Sequence, residues 1–171
     1  MENVLLTTDN YCDKIKAHQE GLEHYALSVL IFNKKGELLL QKRAKKKYHS
    51  GGLWTNTCCT HPTSLNIKQI QEMAEARLNY EMGLNCNLEY TFSFSYWAKC
   101  NSLIENEYDF VFVGFTDADP VINPNEVCEY KWTDLEYIYS DKSKNPEIYT
   151  PWFHILMEQW NNHKMKNVSS R

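Results

Sequence analysis

The apolar positions of this chain fall into runs of two different periods. Residues 24–32 are dense in strand formers, and Asn33-Lys34-Lys35-Gly36 supplies turn chemistry before a second run at 37–41, so a hairpin is expected there. Residues 53–59 read as another strand. From Asn66 the period changes: Ile67, Ile70, Ala74 and Leu78 recur at helical spacing and Gly83 stands as a stop, which predicts a helix of about four turns. Residues 90–98 and 107–116 are aromatic and β-branched runs flanking a polar connection, a pattern that predicts a long hairpin whose loop includes Glu105. A further strand is expected at 129–133. Thr150-Pro151 then reads as an N-cap with proline at the first helical position, opening a closing helix that carries Trp152, Ile155, Leu156 and Trp160. Elements in this order give an α+β arrangement, with helices against a mixed sheet.

Composition narrows the picture. With 171 residues, 43% hydrophobic and 13% aromatic, and with no repeat or Pro/Gly/Ser linker, the chain is expected to form one domain over residues 1–171 with a sizeable core. The polar ends, 1–10 and 165–171, are expected to be poorly ordered. No stretch approaches the roughly 20 apolar residues that span a bilayer. Residues 1–7 lack the basic flank and apolar core of a signal peptide, so a cytoplasmic protein is expected, without membrane association. In that compartment the six cysteines read as free thiols, and the absence of a Cys-x-x-Cys pair excludes a zinc ribbon. A net charge of −4 argues against broad nucleic-acid binding. Lys42, Arg43, Lys45, Lys46 and Lys47 nevertheless form a local basic run that is either a solvated loop or a seat for a small anion.

The chemistry centres on two spacings. Cys59 and His61 stand two apart in a strand-like run, as do Glu105 and Glu107, and side chains two apart on a strand share a face. With His18 and His24 they make a nitrogen and oxygen donor set suited to Zn²⁺, Mn²⁺ or Fe²⁺. Taken singly, each residue has a plainer reading. A lone histidine is more often surface or satisfied core, an isolated glutamate is solvated, and a free cysteine packs as a small hydrophobe. Tyr96 and Trp152 read first as core aromatics.

A wider pattern changes that weighting. Lys14, His18, His24, Arg43, Lys47, the run Trp54-Thr55-Asn56-Thr57-Cys58-Cys59-Thr60-His61-Pro62, Arg77, Tyr80-Glu81-Met82-Gly83, Tyr96, Glu105-Asn106-Glu107 and Thr150-Pro151-Trp152-Phe153 together resemble the type 1 isopentenyl-diphosphate Δ-isomerases. The resemblance covers roughly residues 11–160 and is most specific in its Cys-x-His and Glu-x-Glu elements. It implies a Nudix-type α/β/α sandwich around a mixed β-sheet, and isopentenyl diphosphate as a small-molecule substrate. It also implies Mn²⁺ or Zn²⁺ on His18, His24, His61, Glu105 and Glu107, and proton transfer by Cys59 and Glu107 with Tyr96 beside the latter. Trp152 would face a carbocation, Lys14, Arg43, Lys47 and Arg77 would bind the diphosphate, and Glu81 would hold Mg²⁺ on it. Oligomeric state is not legible.

Two other classes compete. Hydrolytic Nudix enzymes carry an Arg-Glu…Glu-Glu helix for several metal ions. Here that helix reads Ala76-Arg77-Leu78-Asn79-Tyr80-Glu81, and only the last glutamate survives. A noncatalytic metal- or RNA-binding module would explain the basic run at 42–47 but would leave Cys59, His61, Glu105 and Glu107 as coincidence.

Overall fold

The computed structural model describes residues 2–169. Its sheet grows from the hairpin legible in the sequence. Strands β3 (His24–Phe32) and β4 (Leu38–Arg43) meet at Phe32 and Leu38. The Asn33 side chain closes the turn by accepting from the backbone N–H groups of Lys35 and Glu37. On the other flank β3 pairs in parallel with β8 (Leu103–Phe115), and β8 pairs antiparallel with β7 (Leu88–Cys100). Strands β5 (Trp54–Thr55) and β9 (Val127–Thr133) attach to β4, and β6 (Cys58–Thr60) attaches to β3. Among the described residues this makes a seven-stranded mixed sheet.

Helices cover both faces. On one, α2 (Ile67–Met82) buries Ile70, Ala74, Leu78 and Met82 against Leu27, Val29, Ile31 and Phe112. Asn66 caps its start by accepting from Lys68 and Gln69, and Gly83 ends it in the left-handed conformation. On the other, α3 (Leu135–Lys144) and α4 (Pro151–Ser169) bring Ile138, Phe153, Leu156 and Trp160 onto Leu30, Leu38, Leu40, Val111 and Val113. The result is the expected α/β/α sandwich.

Four expectations are corrected. Glu105 lies inside β8, not in a loop, because the β7–β8 pairing runs out to Cys100 and Leu103 and leaves only Asn101 and Ser102 at the turn. The strand expected over 53–59 is broken at Asn56 and Thr57, whose buried side chains bond the backbone at Cys58, Val29, Leu39 and Ile31 and so bind strands together from between them. The expected loose N-terminus does not hold for β1 (Asn3–Leu5), which pairs with β2 (Tyr11–Asp13) and fully buries Val4. The tail expected to be loose from 165 continues α4 to Ser169; residues 170 and 171 lie outside the described set.

Candidate active site

One face of β8 changes character along its length. Glu105, Glu107, Asp109, Val111 and Val113 alternate inward, so the strand that supplies aliphatic core at one end supplies carboxylates at the other. Strand register then sets the chemistry around Glu107. His24 is its direct partner on β3 and Tyr96 its direct partner on β7, which places all three in one row. His24 Nε2 lies 3.4 Å and His61 Nε2 3.2 Å from Glu107 Oε1, while the Tyr96 hydroxyl donates to Oε2 at 2.5 Å.

His18 arrives on the short helix α1 (Lys14–Glu20), which the sequence reading missed. Asp13 caps this helix by accepting from Lys16, and Gly21 turns the chain at φ 63° toward β3. A Cβ at Gly21 would lie 3.1 Å from Ile104 in a backbone conformation that L side chains resist, so the six-residue step from His18 to His24 depends on glycine. His18 Nε2 stands 3.0 Å from Glu105 Oε2.

Ring orientation identifies what these nitrogens are for. His18 Nδ1 lies 2.6 Å from the Lys14 carbonyl and His24 Nδ1 lies 2.8 Å from the Leu22 carbonyl. A carbonyl only accepts, so each Nδ1 carries the proton and each Nε2 presents a lone pair. Both Nε2 atoms are buried without a hydrogen-bond partner, as is Glu105 Oε2. Lone pairs facing carboxylate oxygens at about 3 Å repel unless a cation or an added proton lies between them. His18, His24, His61, Glu105 and Glu107 bring one donor atom each within 4.8 Å of one another, and imidazole nitrogens with carboxylate oxygens suit a divalent transition metal. The residues present therefore fit such an ion.

The protonation states follow from burial and charge. Burial resists ionisation of Glu107, but His24 and His61 outweigh it and hold the carboxyl well below its usual range. Burial lowers His61, whereas Glu105 overcomes burial at His18 and raises it. The Cys59 thiol is pushed up to about 12, mainly by burial, with Arg43 offsetting part of the effect. Cys59 is thus a neutral thiol at ordinary pH. Burial, with Glu107 nearby, keeps Asp109 protonated well above the normal carboxylate range, and Ser28 donates to it at 2.8 Å.

Cys59 and His61 open onto a pocket with Tyr96, Glu105, Glu107 and Trp152. Lys14, Arg43, Lys47, Arg77 and Glu81 also line it, so the sequence candidates come together except His18 and His24, which stand fully buried behind the wall. Arg43 lies over the Trp152 ring, 5.1 Å from its centroid. The basic groups already hold protein anions: Lys14 meets Glu2, Lys47 meets Glu126 at 2.5 Å, and Arg77 reaches both Glu81 and Glu126. Gln41 donates to the second oxygen of Glu81 at 2.6 Å.

Sequence reasoning missed Glu126, Asp109, Tyr48 and His49. Asp109 had a signal, since it extends the alternation Glu105-x-Glu107 by one step. Glu126 had none, because its role comes from a loop folded over α2.

The fold and the site together define a Nudix domain, and the model of the NUDIX domain family matches residues 22–153. Solved structures agree on the fold: DR0079 of Deinococcus radiodurans superposes with a TM-score of 0.71 over 92% of this chain and 96% of its own at 13% identity. A MutT protein of Methanosarcina mazei gives 0.65 over 83% and 95% at 21% identity. Curated relatives are more specific. Isopentenyl-diphosphate Delta-isomerase 2 of Aromatoleum aromaticum is 42% identical over 93% of this chain and 87% of its own length. The protein of the same name from Photorhabdus laumondii is 44% identical over 90% and 89%. The chain belongs to the isopentenyl-diphosphate Delta-isomerase family.

Proposed function

We propose that this enzyme converts isopentenyl diphosphate into dimethylallyl diphosphate, with Cys59 and Glu107 exchanging the two protons of the reaction. The observation that carries the reading is the meeting in one pocket of a neutral thiol, an ionised carboxylate under a tyrosine hydroxyl, and a basic wall. The double bond moves when the terminal methylene gains a proton and the carbon on the other side of the bond loses one, through a tertiary carbocation. An alkene is a very weak base, so the donor must be held against it and water kept out. Cys59 and Glu107 are the two groups that give and take these protons, and Tyr96 orients Glu107. Trp152 offers a π face to the carbocation, an attraction worth about 2 kcal/mol when desolvated.

Mn²⁺ or Zn²⁺ held by His18, His24, His61, Glu105 and Glu107 would supply positive charge that keeps Glu107 ionised and fixed. Arg43, Lys47, Lys14 and Arg77 would take the diphosphate by charge-assisted hydrogen bonds. Glu81 would carry Mg²⁺ on the phosphates, since that ion commonly joins one or two carboxylates to a substrate's phosphate groups. We place the enzyme in the cytosol, where its six free cysteines are stable as thiols. No helix among the described residues is long and apolar enough to cross a membrane.

The test is incubation with isopentenyl diphosphate and Mg²⁺ in D₂O, followed by NMR, with Cys59→Ala as control. Dimethylallyl diphosphate carrying solvent deuterium, absent from the control, is the expected result. Failure to convert after Mn²⁺ or Zn²⁺ has been restored, or release of phosphate instead, would overturn the reading.

A further inference from the structure

Each of the two carboxylates of the site has a close neighbour on its second oxygen, and one of these neighbours is a residue with no assigned role. Each offers one oxygen to the histidine cluster. Glu107 has its other oxygen fixed by Tyr96. Glu105 has its other oxygen, Oε1, 2.8 Å from Nε2 of His49. His49 is buried, 5% exposed, and sits in the loop after β4. We infer that His49 is a positioning residue: it holds Glu105 so that Oε2 faces the cation, and it sets the edge of the pocket at Trp152. This rests on the reading that the five-residue cluster binds a divalent ion.

The surroundings of His49 point the same way. Its Nδ1 lies 3.2 Å from the Ser50 hydroxyl, which can donate there and so leave the ring proton on Nε2, an atom 2.8 Å from Glu105 Oε1 that, like Nε2 of His18 and His24, has no aligned hydrogen-bond partner. Ser50 itself sits at φ 52°, a conformation uncommon outside glycine, and this turns its hydroxyl back onto the preceding ring. The His49 ring also stands edge-on to Trp152, with centroids 5.5 Å apart at 88°. Its backbone carbonyl accepts from Arg43 at 3.3 Å. One loop residue thus touches the cation-binding carboxylate, the aromatic wall and a basic residue of the anion pocket. Partners that orient metal-binding carboxylates and histidines typically change metal affinity or activity by about 10- to 100-fold when removed.

His49, Cys100 and Glu105 also bring donor atoms within 4.8 Å of one another, so the alternative is that His49 binds a second ion directly. The experiment separates these. Metal-depleted wild-type protein, His49→Leu, His49→Gln and Ser50→Gly are titrated with Mn²⁺, reading free Mn²⁺ by EPR, and kcat and KM are measured on the loaded enzymes. Ser50→Gly removes the hydroxyl and suits the positive φ, so it reports on the ring's orientation even if His49→Leu folds poorly. The expected result is one ion per chain in every protein. Affinity should fall about tenfold or more in His49→Leu and a few-fold in Ser50→Gly. His49→Gln, whose amide can still donate to Glu105, should regain most of it, and kcat should fall more than KM changes. Equal Mn²⁺ affinity in wild type and the variants would overturn the role of His49 alone, as would two ions in wild type and one in His49→Leu. No Mn²⁺ binding by wild type would overturn the metal reading and this inference with it.

Discussion

His24 and Glu107 are register partners across the parallel strands β3 and β8, so the backbone ladder itself sets a histidine beside a buried carboxylate of the pocket. Tyr96 completes the row from β7. A site built on three adjacent strands holds its side chains more firmly than one built on loops.

Removing the Tyr96 hydroxyl tests that row. Tyr96→Phe leaves Glu107 Oε2 without its donor while the ring keeps its packing against Phe94. We expect kcat to fall about 100-fold, the lower range for a positioned proton-transfer group, with the melting temperature little changed. Loss of fold together with activity, read by circular dichroism, would assign Tyr96 a packing role instead.

The neutral thiol of Cys59 has two measurable consequences. Iodoacetamide at pH 8 should label exposed Cys128 well before Cys59, read by peptide mass spectrometry. Stability should also respond to alkali. With the folded pKa at about 12 and an ordinary value of 9.0, the native state keeps a proton that the unfolded state loses between these limits, so this group's contribution falls as pH rises past 9. Cys59→Ser should therefore lose less stability than wild type between pH 8 and 10.5 in denaturant melts.

Glu126 neutralises Lys47 and Arg77 in the free pocket. Glu126→Gln should release Lys47, leave Arg77 with Glu81 as its one anionic partner, and tighten binding of magnesium pyrophosphate by about two- to fivefold, the scale of a partly exposed ion pair. Calorimetric titration of the variant reads this directly, and weaker binding would mean that Glu126 contributes to holding Mg²⁺.

Gly21→Ala places a Cβ against Ile104 at positive φ. It should cost about 1–2 kcal/mol in urea melts. Because the strain falls between His18 and His24, Mn²⁺ affinity should drop as well. A variant as stable as wild type would show that α1 can re-seat without glycine.

What the sequence revealed depended on the range of the interaction. The Asn33–Gly36 turn, the Ile67–Leu78 stripe and the Thr150-Pro151 start are local signals, and each led to an observed element. Helix α1 is seven residues long, too short for its period to stand out, and it is stabilised by burying Ala17 and His18 instead of by propensity. Helix α3 escaped for a related reason: it buries only Ile138 and Lys142. The break at Asn56 and Thr57 was hidden because both residues sit fully buried, where polar side chains are not expected to be. Most pocket residues were legible only through the family pattern. His49 lay just beyond the basic run at 42–47, and nothing in that run announces a fourth imidazole facing Glu105.

The β3–β8 pairing joins segments about eighty positions apart, as in His24 with Glu107, and β6 and α2 are laid down between them. Closing so long a loop is slow relative to forming a hairpin or a helix. The proposed cation cluster, which draws on α1, β3, the end of β6 and β8, is therefore complete only once this long-range closure has formed. A cation bound there would tie together segments that local folding leaves apart, so its binding energy would add to the stability of the finished sheet and not to any single element.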